Sequence, residues 1–209
     1  VTQKTAAHAA EIYNYYKEQG WKYQQYIACL DPLGEDRGKT PYALNPEQYG
    51  MFLTELFNLW YEDWKKGEQP YIRQFENYIG ILLGYQPESC EQRGSCGTQN
   101  VVEADGSVYP CDFYALDEYK LGNFNCNRLE EIDKKRKEIA FVEQSQIVAE
   151  NCKNCKFYKI CKGGCRRNKD FNAMNGEYEN YFCKSYRIFF DICLERMIQI
   201  VEIIKNQKG

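Results

Sequence analysis

Cys152-Lys153-Asn154-Cys155-Lys156-Phe157-Tyr158-Lys159-Ile160-Cys161-Lys162-Gly163-Gly164-Cys165 puts four thiols into fourteen residues, with gaps of two, five and three. A two-residue gap lets both thiolates and the amides between them wrap one metal centre, so the run predicts a metal site. A disulfide across such a gap is mainly a redox motif of another fold context. Working outward, Cys90, Cys96 and Cys111 stand upstream and Cys183 downstream. Eight candidate ligands divide into two sets of four, yet the upstream trio needs a fourth thiolate from elsewhere. The sites must therefore interlock, as in two-cluster ferredoxins, where the last cysteine of a close run serves the other cluster. Spacing leaves the metal open, because four thiolates suit zinc and iron-sulfur alike. Cys29, Cys126 and Cys193 are left over and read as ordinary thiols.

The chain of 209 residues holds 11 cysteines and a single histidine, His8. An odd cysteine count sits badly with a closed disulfide framework, and one histidine removes most triads, histidine-based zinc sites and haem pockets. The net charge of -3 gives no reason to expect nucleic acid as a partner. No apolar run approaches the roughly 18 residues of a membrane span and no secretion signal opens the chain, so a soluble cytoplasmic protein without a membrane partner is expected. Lys153, Lys156, Lys159, Lys162, Arg166, Arg167 and Lys169 surround the cysteine run. An oxidised four-thiolate cluster is an anion, and these cations read as offsetting its charge. The chain opens at Val1 in what reads as the middle of a helix, so it is expected to be a piece of a longer protein.

Along the chain, apolar and aromatic residues recurring at helical spacing, among them Ile12, Tyr15 and Tyr16, predict a helix over 5–19 with Gly20 as its stop. A strand over 23–30 and a loop over 31–40 complete the grammar of one α/β barrel unit. Asn45-Pro46-Glu47-Gln48 has the cap, proline and glutamine of a helix start, here for a helix running to about Lys66. Another helix is read over 72–83, ending at Gly84, after which the composition changes. The domain boundary is therefore set near residue 85, giving units 1–85 and 86–209. Asp105-Gly106 between 100–104 and 107–113 signals a β-hairpin with a two-residue turn that delivers Cys111 at its far end. Residues 127–139 read as a charged helix, 152–165 as largely irregular, and 183–206 as a long closing helix with Ile188, Ile192, Met197, Val201 and Ile204 as its buried stripe.

Cys96, nine residues, Gly106, four residues, Cys111, then the cysteine run and Cys183, resembles the seven-cysteine signature of the SPASM domain, which closes radical-SAM enzymes that modify peptides. Cys90 adds the ligand of members whose two clusters are both fully protein-bound. With Cys111-Asp112 and the segment from Tyr23 to Pro32, the chain is most similar to the anaerobic sulfatase-maturating enzymes. The fold this implies is α/β plus α+β: the last helix-strand units of a partial TIM-type barrel, then a SPASM domain with a β-hairpin and a long C-terminal helix. The resemblance implies that Cys90, Cys96, Cys111 and Cys165 hold one 4Fe-4S cluster and Cys152, Cys155, Cys161 and Cys183 a second. It further implies a third 4Fe-4S cluster and S-adenosylmethionine in an N-terminal part absent here. The reaction implied is oxidation of a Cys or Ser in a sulfatase polypeptide to Cα-formylglycine, with Asp112 as the proton acceptor, an auxiliary cluster taking an electron, and a ferredoxin or flavodoxin as electron donor. Leu30, at the end of the expected strand, is the candidate contact to the cofactor. The chain lacks the Cys-x3-Cys-x2-Cys loop of radical-SAM catalysis, since Asn168 stands where Cys161-x3-Cys165 would need a third cysteine, so this piece is expected to be inactive alone. Two other readings share the cysteine pattern: a thioether- or quinone-forming peptide maturase, and a non-enzymatic zinc-binding interaction module.

Overall fold

The computed structural model describes residues 1–207. A 3₁₀ turn, Thr5–His8, leads into α1 (Ala9–Glu18), which buries Ala9 and Tyr13. Tyr13 donates to Asp63 Oδ2 at 2.6 Å, and Lys17 reaches the same carboxylate, so a charged pair fixes the helix rotation. Tyr15 is consequently turned outward, 53% exposed. The expected strand over 23–30 is paired only as β1 (Tyr23–Gln24), which lies parallel to β2 (Tyr71–Ile72). Further along, Cys29 pairs irregularly instead, donating to Val1 O at 2.7 Å and accepting from Leu44 N at 2.9 Å.

Between the two strands runs α2 (Pro46–Trp64), started by Asn45, whose Oδ1 accepts from Gln48 N at 2.9 Å with proline at the first turn. Next come α3 (Arg73–Leu82) and α4 (Cys90–Arg93). β3 (Val101–Val102), β4 (Ser107–Tyr109) and β5 (Gly122–Asn123) form an antiparallel sheet in chain order. The reversal between β3 and β4 uses three loop residues rather than two: Gly106 N donates to Glu103 O and Glu103 N to Ser107 O, both at 2.9 Å. Gly106, at φ +84°, supplies the left-handed third position that such a loop requires.

The remainder is α5 (Leu129–Glu138), α6 (Phe141–Ser145), the single turns α7 (Glu150–Lys153) and α8 (Tyr158–Cys161), the antiparallel pair β6 (Lys169–Asn172) and β7 (Glu177–Asn180), and α9 (Cys183–Gln207). α9 lies against α2, and they approach closely at Gly50, where an added Cβ would stand 3.1 Å from Ile188 Cβ and from Ser185 Cα. The main apolar cluster joins α1, α2 and α3 to α8 and α9, thus crossing residue 85; Phe57, Trp60, Phe75 and Phe189 are its aromatic centre. The buried face of α9 is Tyr186, Phe189, Phe190, Cys193, Met197, Ile200 and Val201. Of the expected stripe, Met197 and Val201 hold, whereas Ile192 is 50% exposed because burying the larger aromatic rings sets the helix rotation.

Candidate metal centres

Cys90 opens α4, and the turn closes at Gly94, φ +71°, where an added Cβ would meet Lys162 O at 2.5 Å. Cys96 is held by its own amide, which donates to Ser145 Oγ at 2.8 Å. Cys111 follows β4 and precedes a 3₁₀ turn, Asp112–Tyr114, while Cys165 precedes another, Arg166–Asn168, with its Sγ accepting from Arg167 N at 3.4 Å. These four thiols line one cavity of about 310 Å³, together with Leu30, Asp112 and Glu91. Cys152 in α7, Cys155 after it, Cys161 at the end of α8 and Cys183 at the start of α9 line a second cavity, of about 610 Å³. The sequence run is thus divided between the cavities, and the chain crosses from one to the other through Gly163 and Gly164. Both have positive φ, and a Cβ on Gly164 would stand 2.2 Å from Asn180 Nδ2. Cys29, Cys126 and Cys193 line neither cavity.

Electrostatic coupling among the thiols divides in the same way. Cys165 feels Cys90 and Cys96, and Cys111 feels Cys96; Cys161 feels Cys183 and Cys152, and Cys183 feels Cys155. Burial pushes the Cys111 thiol up to about 12 against the pull of the Phe113 amide, and burial likewise pushes Cys161 up to about 12 against the Gly163 amide. Thiolates at Cys111 and Cys161 are therefore favoured by a positive centre beside them, which is the coupling of metal binding to deprotonation. Lys169, half-buried, donates to Ser145 O at 2.7 Å and Ile147 O at 2.9 Å, and its charge acts on Cys152, Cys165, Cys96 and Cys161, two thiols of each set.

Among the described residues no three His, Cys, Asp or Glu side chains converge on a point that would hold one metal ion. Each cavity wall nevertheless presents four thiols to one space, a donor set that thiophilic metal centres use. Asp112 lies exposed at the wall of the first cavity, its Oδ1 accepting from Cys111 Sγ at 3.2 Å. Leu30 is half-buried in the same wall.

The SPASM family model, an iron-sulfur cluster-binding domain, matches residues 90–156, stopping short of Cys161, Cys165 and Cys183. The chain is 45% identical over 205 residues to a cysteine-type anaerobic sulfatase-maturating enzyme of Clostridium perfringens, covering 98% of this chain and 55% of that protein. Over nearly its whole length the chain is similar to anaerobic sulfatase-maturating enzymes. A serine-type member from Bacteroides thetaiotaomicron is 28% identical, with 100% of this chain and 54% of that protein covered. A solved structure described as native anSMEcpe with bound AdoMet and Kp18Cys peptide superposes with a TM-score of 0.89 at 43% identity, covering 97% of this chain and 56% of that one. This chain thus spans little more than half the length of the family members it matches.

Two groups at these cavities carry no specific mark in the sequence reading. Tyr186 lines both cavities; its signal was its place one helical turn after Cys183. Arg166 was read as a generic cation, yet its guanidinium stands 4.5 Å from the Phe141 ring and 5.3 Å from the Tyr114 ring, and donates to Phe141 O at 2.8 Å. It pins the turn that carries Asp112.

Proposed function

We propose that this chain is the C-terminal part of a radical-SAM sulfatase maturase that oxidises a Cys or Ser of a sulfatase polypeptide to Cα-formylglycine. The observation that carries the reading is the separation of eight cysteines into two four-thiol cavities, one of which also has Asp112 and Leu30 in its wall. Cys90, Cys96, Cys111 and Cys165 would hold one 4Fe-4S cluster, and Cys152, Cys155, Cys161 and Cys183 the other. When bound, such clusters supply one-electron acceptance at potentials set by charge, hydrogen bonding and exposure.

The protein's own part is positioning and proton transfer. Asp112 is carried on a turn fixed on one side by Cys111 and on the other by the Tyr114 contact to Arg166, so its carboxylate meets a substrate entering the first cavity as a general base. Leu30 presents an apolar surface from the stretch after β1, suited to the adenosyl part of S-adenosylmethionine. The parallel strand-helix-strand unit of β1, α2 and β2 is consistent with the last part of a barrel, whose other units, third cluster and S-adenosylmethionine site would lie in the half of the family members that this chain does not cover. In this reading residues 86–209 form the auxiliary-cluster unit, a ferredoxin or flavodoxin is the electron donor, the enzyme works in the cytoplasm, and this piece is inactive alone.

The test is an anaerobic assay of the whole iron-reconstituted enzyme with S-adenosylmethionine against a sulfatase-derived Cys peptide and its Ser counterpart. Aldehyde formation on either peptide supports the reading. Thioether or quinone formation instead, or no modification of either peptide by iron-loaded protein, contradicts it.

A further inference from the structure

Among the described residues, Tyr186 alone lines both cavities. It sits on α9 at the spacing that brings it over Cys183, one turn earlier on the same face. The side chain is 3% exposed and its hydroxyl donates to Glu91, the neighbour of Cys90, which in turn accepts from Asn168 Nδ2 at 3.4 Å. A helix start carrying a thiol of the second set is thereby joined, through one ring and one hydrogen bond, to the turn carrying a thiol of the first. The ring also packs on the covalent crossing between the sets: a Cβ on Gly164 would stand 3.8 Å from Tyr186 Cε2. Tyr49, 6.3 Å away edge-on, and Phe190, 6.4 Å away and stacked, hold the ring in place.

We infer that Tyr186 is a positioning residue that couples the two iron-sulfur sites, its ring filling the partition an electron crosses between them. The inference rests on the two-cluster reading above. With both clusters bound the step would be a one-electron exchange: the group held by Cys90, Cys96, Cys111 and Cys165 would give up one electron and that held by Cys152, Cys155, Cys161 and Cys183 would gain it. No bond forms or breaks and no proton moves. A close-packed partition serves this better than a hydrated gap, because packed atoms leave no break in the path.

The experiment uses the whole enzyme reconstituted with iron and sulfide, as wild type, Tyr186→Phe and Tyr186→Leu. One electron equivalent is injected from a photochemical donor, and freeze-quenched paramagnetic resonance follows the electron between the two centres. Tyr186→Phe keeps the ring and is expected to retain the exchange phase, whereas Tyr186→Leu, at unchanged iron and sulfide content, is expected to lose or markedly slow it. An exchange phase in Tyr186→Leu equal to wild type would overturn the inference. Should Tyr186→Leu shed iron, Tyr186→Met refills the volume without the ring. Slowed exchange in that variant supports the coupling role, and wild-type exchange or loss of iron there overturns it in favour of a purely structural one. Failure of the underlying reading is separately visible, as zinc or a single paramagnetic centre in the wild type.

Discussion

Asp112 is exposed yet held by its neighbours, an arrangement that separates its chemistry from its contribution to folding. On the proposed function, Asp112→Asn keeps the size of the side chain and removes the proposed base, so formylglycine production by the whole enzyme is expected to fall by about 10²-fold or more. Iron and sulfide content should stay at wild-type values; turnover equal to wild type, measured by mass spectrometry of the peptide, would remove the residue from the mechanism. Asp31 plays the opposite part. Burial alone would push its carboxyl up, but the Thr40 and Gly38 amides, each donating at 2.7 Å, and the Thr40 hydroxyl outweigh that and bring it down to about 2. Its folded value lies below its unfolded one, so its contribution to stability is full above about pH 4 and disappears as the pH falls toward 2. Asp31→Ala leaves two amides without their acceptor and is expected to cost about 1–3 kcal/mol at neutral pH, with a smaller difference from wild type in acid, read by denaturant melts at each pH. Sequence alone marked 31–40 as a loop but held nothing to say that one carboxylate closes it, because that bond depends on the loop's final path.

At the scale of elements, the caps and breakers were legible and the rotations were not. Asn45-Pro46 and Gly84 bound their helices as read, since those signals act within a few residues. Ile192 was assigned to a buried face and turned outward, because helix rotation is decided by partners remote in sequence: Asp63 sets that of α1, and Phe57 and Tyr78, which receive the Phe189 and Phe190 rings, set that of α9. The strand over 23–30 shrank to two paired residues for the same reason, pairing being a property of neighbours. The α2–α9 crossing is the contact most exposed to a small change. Gly50→Ala places a methyl 3.1 Å from the α9 backbone and is expected to destabilise by about 1–3 kcal/mol through overpacking. A melt at wild-type stability would mean that the helices slide apart freely and that the crossing does not fix α9. Because α9 carries both Cys183 and Tyr186, the same variant should loosen iron at the second site first.

Over the whole molecule, the cysteine half is fastened to the helical half by more than apolar contact. Arg37, from the 31–40 loop, grips Asp170 with its Nε at 2.8 Å and donates to Arg167 O at 3.1 Å, beside the turn that follows Cys165. Spacing required the upstream trio to borrow a fourth thiol and the resemblance named Cys165, which lines the same cavity as the trio. What spacing did not reveal is the wall between the cavities, since Tyr186 and Lys169 act on both sets only once the chain is folded. Interlocking makes a prediction that two self-contained sites would not. Cys161 and Cys165 are four positions apart on one run, yet Cys161→Ser and Cys165→Ser should each remove about four irons, from different sites. The most direct measurement is therefore the iron, zinc and acid-labile sulfide content of the anaerobically reconstituted wild type and these two variants, with resonance spectra to identify the centre that remains. The account predicts a brown whole enzyme with about twelve irons and twelve sulfides, about eight of each at the two sites described here, and two variants whose surviving spectra differ. A colourless wild type with zinc and no sulfide, or two variants that lose the same centre, would contradict it.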